Sequence, residues 1–424
     1  MTSNAKTLMK SKMSTMLIYL VTGGEIYDVG GLSKYVRELA SYCITNTDLR
    51  VKIVSRMGKV VSLDSKINSK IRLRRHRFPF FYLMLSHLPN PLTIILGTLA
   101  LIKDIGNEHN IRKIMHAHDV GSSLLTVFII NKIFNIPFIV QIHGFPIKEQ
   151  KIKLLKANSL LSNFIWFLTK TWHAITMKLI KHSAMLVLVN NKEVKSFYES
   201  CGIPSKKLEI ISSAVDLQEF KRLLSKQTRK CLELLNLKNT VTIGYVGGLK
   251  PQKNVETLME AFREFMKSYP EAKASLIIIG DGPMKPFLEE YAKKYTISNY
   301  TFFMGYIPNA YRFLNTIDIF VLPSLSEGSP FSLIEAMACG RAIIASDIPA
   351  IREIVENGKE ALLFDPRNPQ QLKNLISTLY SNPKLREELG ENARRKAKQY
   401  DINTVFPKIL QIYKRFLEFS ANSN

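Results

Sequence analysis

The chain has 424 residues, 46% of them hydrophobic and 22% charged, an ordinary globular composition with core for two or three domains. Four cysteines (Cys43, Cys201, Cys231, Cys339) lie without C-x-x-C spacing, which argues against a disulfide framework and a zinc site and fits a reducing compartment. The formal net charge is +24, and residues 1–220 carry 30 Lys and Arg against 14 Asp and Glu, so an anionic partner is expected in the first half.

At the N-terminus, Lys6, Lys10 and Lys12 precede the apolar run MLIYLVT, in the manner of a signal peptide. The run is short, no A-x-A site follows, and it leads straight into a glycine turn, so a buried first strand is the better reading. No apolar stretch reaches the ~18 uncharged residues of a spanning helix, so none is expected.

Strands are expected at 17–21, 50–55, 113–118, 137–144, 184–190 and 208–213, with a helix at 32–43. After a charged connector at 215–240 the pattern restarts. Strands are expected at 240–248, 274–283, 300–305, 318–324 and 341–346, a helix at 256–270, and a helix-rich end at 385–420. Strands that alternate with helices imply parallel sheets covered on both faces. The predicted fold class is α/β: two Rossmann-like, doubly wound parallel-sheet domains facing across a crevice. The first spans 1–220 and the second 221–400. A C-terminal helix over 401–424 packs back on the first domain. In sheets of this kind, strand C-termini and helix N-termini line the ligand site.

Glycine pairs stand where such a site needs them. Gly30-Gly31 follow the first strand, and Gly247-Gly248 open the second set. Each turn can offer backbone N–H groups to a phosphate, or can be a turn only. G-x-G-x-x-G is absent after both strands; GDGPMK comes nearest, with Lys285 in place of the third glycine, which speaks against a nicotinamide enzyme. Lys253, in GGLKPQKN, is disfavoured by a helix dipole unless an anion lies there, and Lys250 is a second candidate in the same turn. In SEGSPFSLIEAMACG, Ser329 can cap a helix with Pro330 at its first position. The N–H groups of Phe331, Ser332 and Leu333 would then be unpaired and able to hold a diphosphate. Glu327 and Glu335 flank this anion hole. They suit hydroxyls on either side of a diphosphate, the layout of a nucleotide sugar.

The E-x7-E spacing of Glu327 and Glu335 occurs within EGSPFSLIEAMACGRAIIASDIPAIREIVENG. Together with GYVGGLKPQKN and IIIGDGP upstream, the set resembles the family-four retaining glycosyltransferases of GT-B fold (glycosyl transferases group 1). The resemblance is strongest over 240–366. It implies a catalytic set of Glu327, His143 and Lys253: Glu327 on the donor hexose, Lys253 on the diphosphate, and His143, in QIHGFP, beside the reacting sugar. It further implies donor binding by Gly31, Gly247, Gly248, Lys250, Ile307, Phe331, Ser332 and Glu335, with Glu335 on the ribose and Ile307 at the nucleobase. The family commonly has arginine where this chain has Gly248, so Lys250 either compensates or donor binding is weaker. Ser213-Ala214-Val215-Asp216 replaces the usual N-G-V-D.

From the residues alone, His143 can equally be a satisfied strand-end histidine. Of His116 and His118 in HAHD, one is expected to face the crevice, with His118 and Asp119 as supporting residues. Without D-x-D or clustered ligands, no metal and no cofactor are assigned. The donor substrate is expected to be UDP- or GDP-linked, with its leaving group stabilised electrostatically.

Basic and aromatic residues mix at 66–89 and 148–182, where a solvated helix competes with a surface that docks on anionic lipid. A glycan or lipid-linked acceptor is expected. So is a cytoplasmic site, peripheral on the inner face of a membrane, with no nucleic acid as partner because no nucleic-acid module is present. The function expected is hexosyl transfer with retention. A nucleotide-sugar epimerase or hydrolase, or a non-catalytic sugar-nucleotide binder, are the alternatives. Labelled donor with and without lipid extract separates them.

Overall fold

The structure, a computed structural model, describes residues 16–22, 31–55, 60–62, 91–108, 111–155, 160–220, 237, 239–307 and 310–421. Gly30, the basic segment 66–89 and Lys156 lie outside the described residues. The chain divides into two compact units. The first comprises Met1–Ala214 and Ile402–Asn424, and the second Val215–Asp401. The expected border at 220/221 and the observed one differ by the short helix Leu217–Phe220.

The first unit is built on a seven-stranded sheet of order β3-β2-β1-β4-β5-β6-β7. Its strands are β1 Met16–Val21, β2 Arg50–Val54, β3 Val60–Ser62, β4 Arg112–Ala117, β5 Phe138–Ile142, β6 Leu186–Val189 and β7 Leu208–Ile210. All pairings are parallel except β2 with β3. Every residue of β1 is buried, which explains why it reads as an unbroken apolar run: a central parallel strand has no solvent face. The helix Gly31–Asn46 turns Tyr35, Val36, Leu39, Ala40 and Cys43 inward at helical spacing. The C-terminal helix, Ile402–Ala421, packs against it.

The second unit is built on a six-stranded parallel sheet of order β10-β9-β8-β11-β12-β13. Its strands are β8 Val241–Val246, β9 Ala274–Ile279, β10 Thr301–Gly305, β11 Ile319–Leu322, β12 Ala342–Ser346 and β13 Leu362–Phe364. The helix Val255–Ser268 presses Leu258, Met259, Phe262 and Phe265 onto the core. Val215 N–H donates to the Tyr400 carbonyl at 2.9 Å, so the two ends of this unit meet.

In each sheet the strand order reverses direction once, between β1 and β4 and between β8 and β11. Connections leave in opposite senses there, which opens a space beyond the strand C-termini. Most candidate residues follow the strands at these two places, while His143 follows β5 and Ile307 follows the edge strand β10.

Candidate functional site

In the second unit, β8 runs into Gly247 and Gly248, and a short 3-10 turn, Pro251–Lys253, follows. Three turns are laced together beneath this point. Gly247 N–H donates to Ile279 O at 3.0 Å, Gly280 N–H to Gly305 O at 2.8 Å, and Met284 N–H to Leu249 O at 3.0 Å. Gly280 has φ of +146°, and a Cβ there would lie 1.8 Å from the Gly247 carbonyl oxygen. A Cβ at Gly282 would meet Leu249 O at 2.3 Å. The GDG of IIIGDGP therefore serves the close approach of two turns. Tyr245, fully buried, donates its hydroxyl to Gly248 O at 3.0 Å and props the turn from below. Burial, reinforced by the Glu327 charge, pushes that phenol well above its ordinary range.

Lys253 and Glu327 meet. The Lys253 ammonium donates to both oxygens of Glu327, at 2.7 and 2.8 Å, and Ser324 Oγ donates to Oε1 at 2.6 Å. Glu327 is 5% exposed and Ser324 fully buried, while the Lys253 side chain keeps 24% of its surface. The sequence places Glu327 beside an anion hole as an acceptor for hydroxyls. It is instead a buried carboxylate compensated by a cation and a hydroxyl, as a buried charge must be. Lys253 ends the 3-10 turn Pro251–Lys253 and directly precedes Asn254, the cap of the helix Val255–Ser268, and the anion that its place calls for is the Glu327 carboxylate.

Asn254, which the sequence did not point to, follows with φ 53° and ψ 37°. Its side-chain amide donates to Pro323 O at 3.1 Å and Pro366 O at 2.8 Å, tying the lysine turn to the ends of β11 and β13. Leu325 N–H donates to Gln252 O at 2.9 Å and fastens the glutamate loop to the same turn. A K-N pair at a turn, where asparagine tolerates the left-handed region, was the available signal.

The helix after the loop differs from expectation. It spans Phe331–Ala338, with Pro330 rather than Ser329 at the cap position and no side-chain cap. Phe331 N–H donates to Ser329 O at 2.8 Å and Leu333 N–H to Pro330 O at 3.0 Å. Proline at the cap lets a tight turn form, and that turn consumes two of the three N–H groups proposed for a diphosphate. Ser332 and Glu335 are half-buried along this helix, as is Ile307 just past β10, where it packs on the core. Lys250 is exposed. A Cβ at Gly248 would find nothing nearer than the Lys250 side chain at 3.9 Å.

In the first unit, Gly31 is the exposed first residue of its helix. His116 on β4, His118 just beyond it and His143 just beyond β5 form one cluster. The rings of His116 and His118 lie 4.1 Å apart, and those of His118 and His143 stack at 5.7 Å. His116 and His118 are both buried and their rings lie together, so the strand does not send them to opposite faces. Residues two apart on a strand share a face, and alternation separates neighbours only. Burial holds His116 and His143 at about 3, with repulsion from His143 added for His116, and pushes His118 well below the ordinary range. The cluster is neutral at pH 7. Asp119 Oδ1 accepts from Gly121 N–H at 2.7 Å and shapes the start of the next helix. Among the described residues, no group of three His, Cys, Asp or Glu could hold a metal, and no helix is long and apolar enough to cross a membrane.

These features coincide with comparisons to known proteins. A model of the glycosyltransferase family 4 matches residues 29–219, and a model of the glycosyl transferases group 1 matches residues 233–396. An N,N'-diacetylbacillosaminyl-diphospho-undecaprenol alpha-1,3-N-acetylgalactosaminyltransferase of Campylobacter jejuni is 27% identical over 260 residues, 61% of this chain and 66% of the relative. The alpha-monoglucosyldiacylglycerol synthase of Acholeplasma laidlawii is 29% identical over 230 residues, 50% of this chain and 56% of the relative. The chain thus spans 56% to 66% of the length of these two relatives. The crystal structure of Anabaena HepE in complex with UDP-glucose superposes with a TM-score of 0.71 at 18% identity, covering 94% of this chain and 99% of that one. With both family models matched and the paired parallel sheets of a GT-B protein, the chain belongs to the group 1 glycosyltransferases.

Proposed function

We propose that the protein moves a hexose from a nucleoside diphosphate sugar, UDP- or GDP-linked, to a hydroxyl of a lipid-linked or glycan acceptor, with retention at the anomeric carbon. The observation that carries this reading is the Lys253–Glu327–Ser324 cluster beside the propped glycine turn. Lys253 is partly exposed, within reach of an arriving anion, whereas Glu327 is fixed by burial and by Ser324. An arriving diphosphate competes for the ammonium. When Lys253 turns to it, Glu327 keeps the Ser324 hydroxyl on Oε1 and gains free acceptor capacity, which a donor sugar hydroxyl can take up. Lys253 then meets the charge that grows on the leaving diphosphate, a stabilisation made largest at the transition state. Glu335 is assigned to the ribose, Ile307 to the base, and Gly31 and Ser332 to donor contacts by the same reading, whereas the Phe331 N–H is already taken by the Ser329 carbonyl. His143 is assigned to the transferred sugar. Retention and the donor class are supported by the family resemblance. The acceptor class is supported by the names of the two relatives, an undecaprenol-linked sugar transferase and a glucosyldiacylglycerol synthase, both of which concern lipid-bearing molecules.

The same proposal includes a peripheral membrane surface. The helix Leu160–Ser183 contains no Asp or Glu. It exposes Leu161, Phe164, Phe167 and Ile175 on one side, and Lys170 and Lys178 are exposed on the same helix. The helix Pro91–Gly106 exposes Leu92, Ile95 and Leu99 at helical spacing. Apolar side chains flanked by lysine are the composition that enters an anionic lipid interface.

The test is a panel. Thermal shift with UDP, GDP and their nucleosides identifies the base. Labelled donor with and without lipid extract then separates transfer from acceptor-independent hydrolysis, and the anomeric coupling of the product reads retention. Release of free sugar alone would replace the transferase reading with a hydrolase.

A further inference from the structure

We propose that the C-terminal helix Ile402–Ala421 sets the proton position and orientation of His143, with Tyr413, His116 and His118 acting as positioning residues. Tyr413 Oη lies 2.7 Å from His116 Nδ1. The His116 ring rests against that of His118, and His118 Nδ1 lies 3.4 Å from His143 Nε2. A second line runs beside it. Phe406 of the same helix meets the edge of Tyr35 at 5.5 Å, and Tyr35 meets the edge of His143 at 5.3 Å. Two residues of one helix thus reach the strand-end histidine through aromatic rings.

The proton positions follow from what is left unpaired. His116 Nε2 and His118 Nε2 are buried without a hydrogen-bond partner. A buried N–H with no acceptor costs more than a bare lone pair, so both rings carry their proton on Nδ1. His116 Nδ1–H then donates to Tyr413 Oη, and His118 Nδ1–H donates to His143 Nε2. A neutral imidazole has one donor and one acceptor nitrogen. His143, accepting at Nε2, must therefore carry its own proton on Nδ1. The separation of 3.4 Å is long for a hydrogen bond, as is common before a ligand tightens a site.

The experiment uses the full chain labelled with 15N-histidine and assigned through His143→Gln. Long-range proton–nitrogen spectra report which ring nitrogen is protonated, without any substrate. The wild type is expected to show His143 protonated at Nδ1. His118→Phe, which keeps a ring but removes the bond, should convert His143 to a mixture of tautomers. His118→Asn, which keeps a donor at the Nδ1 place, should preserve the wild-type pattern. Tyr413→Phe, which removes one hydroxyl, should move the nitrogen signals of both His116 and His143. Only the kinetic arm rests on the proposed role of His143: Tyr413→Phe should lower kcat about fivefold, the worth of one hydrogen bond, with donor KM unchanged. Unchanged His143 signals in folded Tyr413→Phe overturn the proposal, whatever His118→Phe does, because the helix would then not reach His143. A His143 protonated at Nε2 in the wild type overturns it as well. The spectra need no turnover, so a failed transfer assay and a failed positioning claim are distinguishable.

Discussion

The end of β4 in the first unit and the end of β11 in the second occupy the same place in their sheets, beside the strand pair where the order reverses. One is furnished with neutral imidazoles and the other with a charged pair. All eight histidines of the chain precede residue 215, so the second unit has none. The first cluster is held by packing, with rings on rings and no compensating charge. The second is held by compensation, with an ammonium and a hydroxyl on one buried carboxylate. A neutral cluster resists the arrival of charge. A compensated pair can exchange one partner for another, which is what binding an anionic donor requires.

The comparison is broken most directly at Glu327. Glu327→Gln keeps the shape and the Ser324 contact but removes the charge that holds Lys253. Turnover should fall by about 10²–10³-fold, the usual loss when a group acting on developing charge is removed. Glu327→Ala should also lower the melting temperature, because it leaves Lys253 and Ser324 without their acceptor. A variant with normal melting and normal turnover would show that the carboxylate is only structural filler.

Acid should unfold the two units unequally. A buried histidine whose folded pKa lies below its unfolded value stabilises the fold above the unfolded value. That contribution is lost as pH falls toward the folded one. For His116 and His143 the window runs from 6.5 down to about 3. Each contributes a slope of about 1.4 kcal/mol per pH unit within it. Hydrogen exchange at pH 5 should therefore accelerate in β4 and β5 before it does in β8 and β11. His116→Phe should flatten that dependence. Equal acceleration in both sheets would contradict the contrast.

Two glycines sharpen the second half of the comparison. Gly280→Ala should destabilise the second unit by roughly 2–4 kcal/mol, since the backbone there is both left-handed and in van der Waals contact with Gly247. Gly248→Ala should change stability by less than about 0.5 kcal/mol, because its Cβ would meet open space. Calorimetric unfolding of the pair decides. The smallest effect is at the surface: Phe164→Ser with Phe167→Ser should reduce sedimentation with anionic liposomes at low salt and leave donor affinity unchanged. Retained sedimentation would assign lipid contact to another face.

Much of this was legible in the chain. Central strands such as β1, β9 and β12 are buried on both faces, so their apolar runs announce them. The motifs around Glu327 and Glu335 pointed to the loop where Glu327, Ser324 and Lys253 meet. What was missed has physical causes. β3 and β13 are three residues long, VVS and LLF, too short to show a period. The ion pair joins residues 74 apart in sequence, and nothing in GGLKPQKN foretells that Lys253 will find Glu327. Asn254 works through a backbone angle rather than through composition. The helix start was misplaced by one residue because Ser-Pro fits two cap geometries, and only tertiary packing selects one.

The central prediction is that Lys253 exchanges Glu327 for a diphosphate. Titration calorimetry of wild type and Lys253→Met with the nucleoside diphosphate and with the bare nucleoside tests this in one experiment. Lys253→Met is expected to weaken the diphosphate by tenfold or more, about 1.4 kcal/mol, while nucleoside affinity is unchanged. Equal losses for both ligands, or none for either, would contradict it.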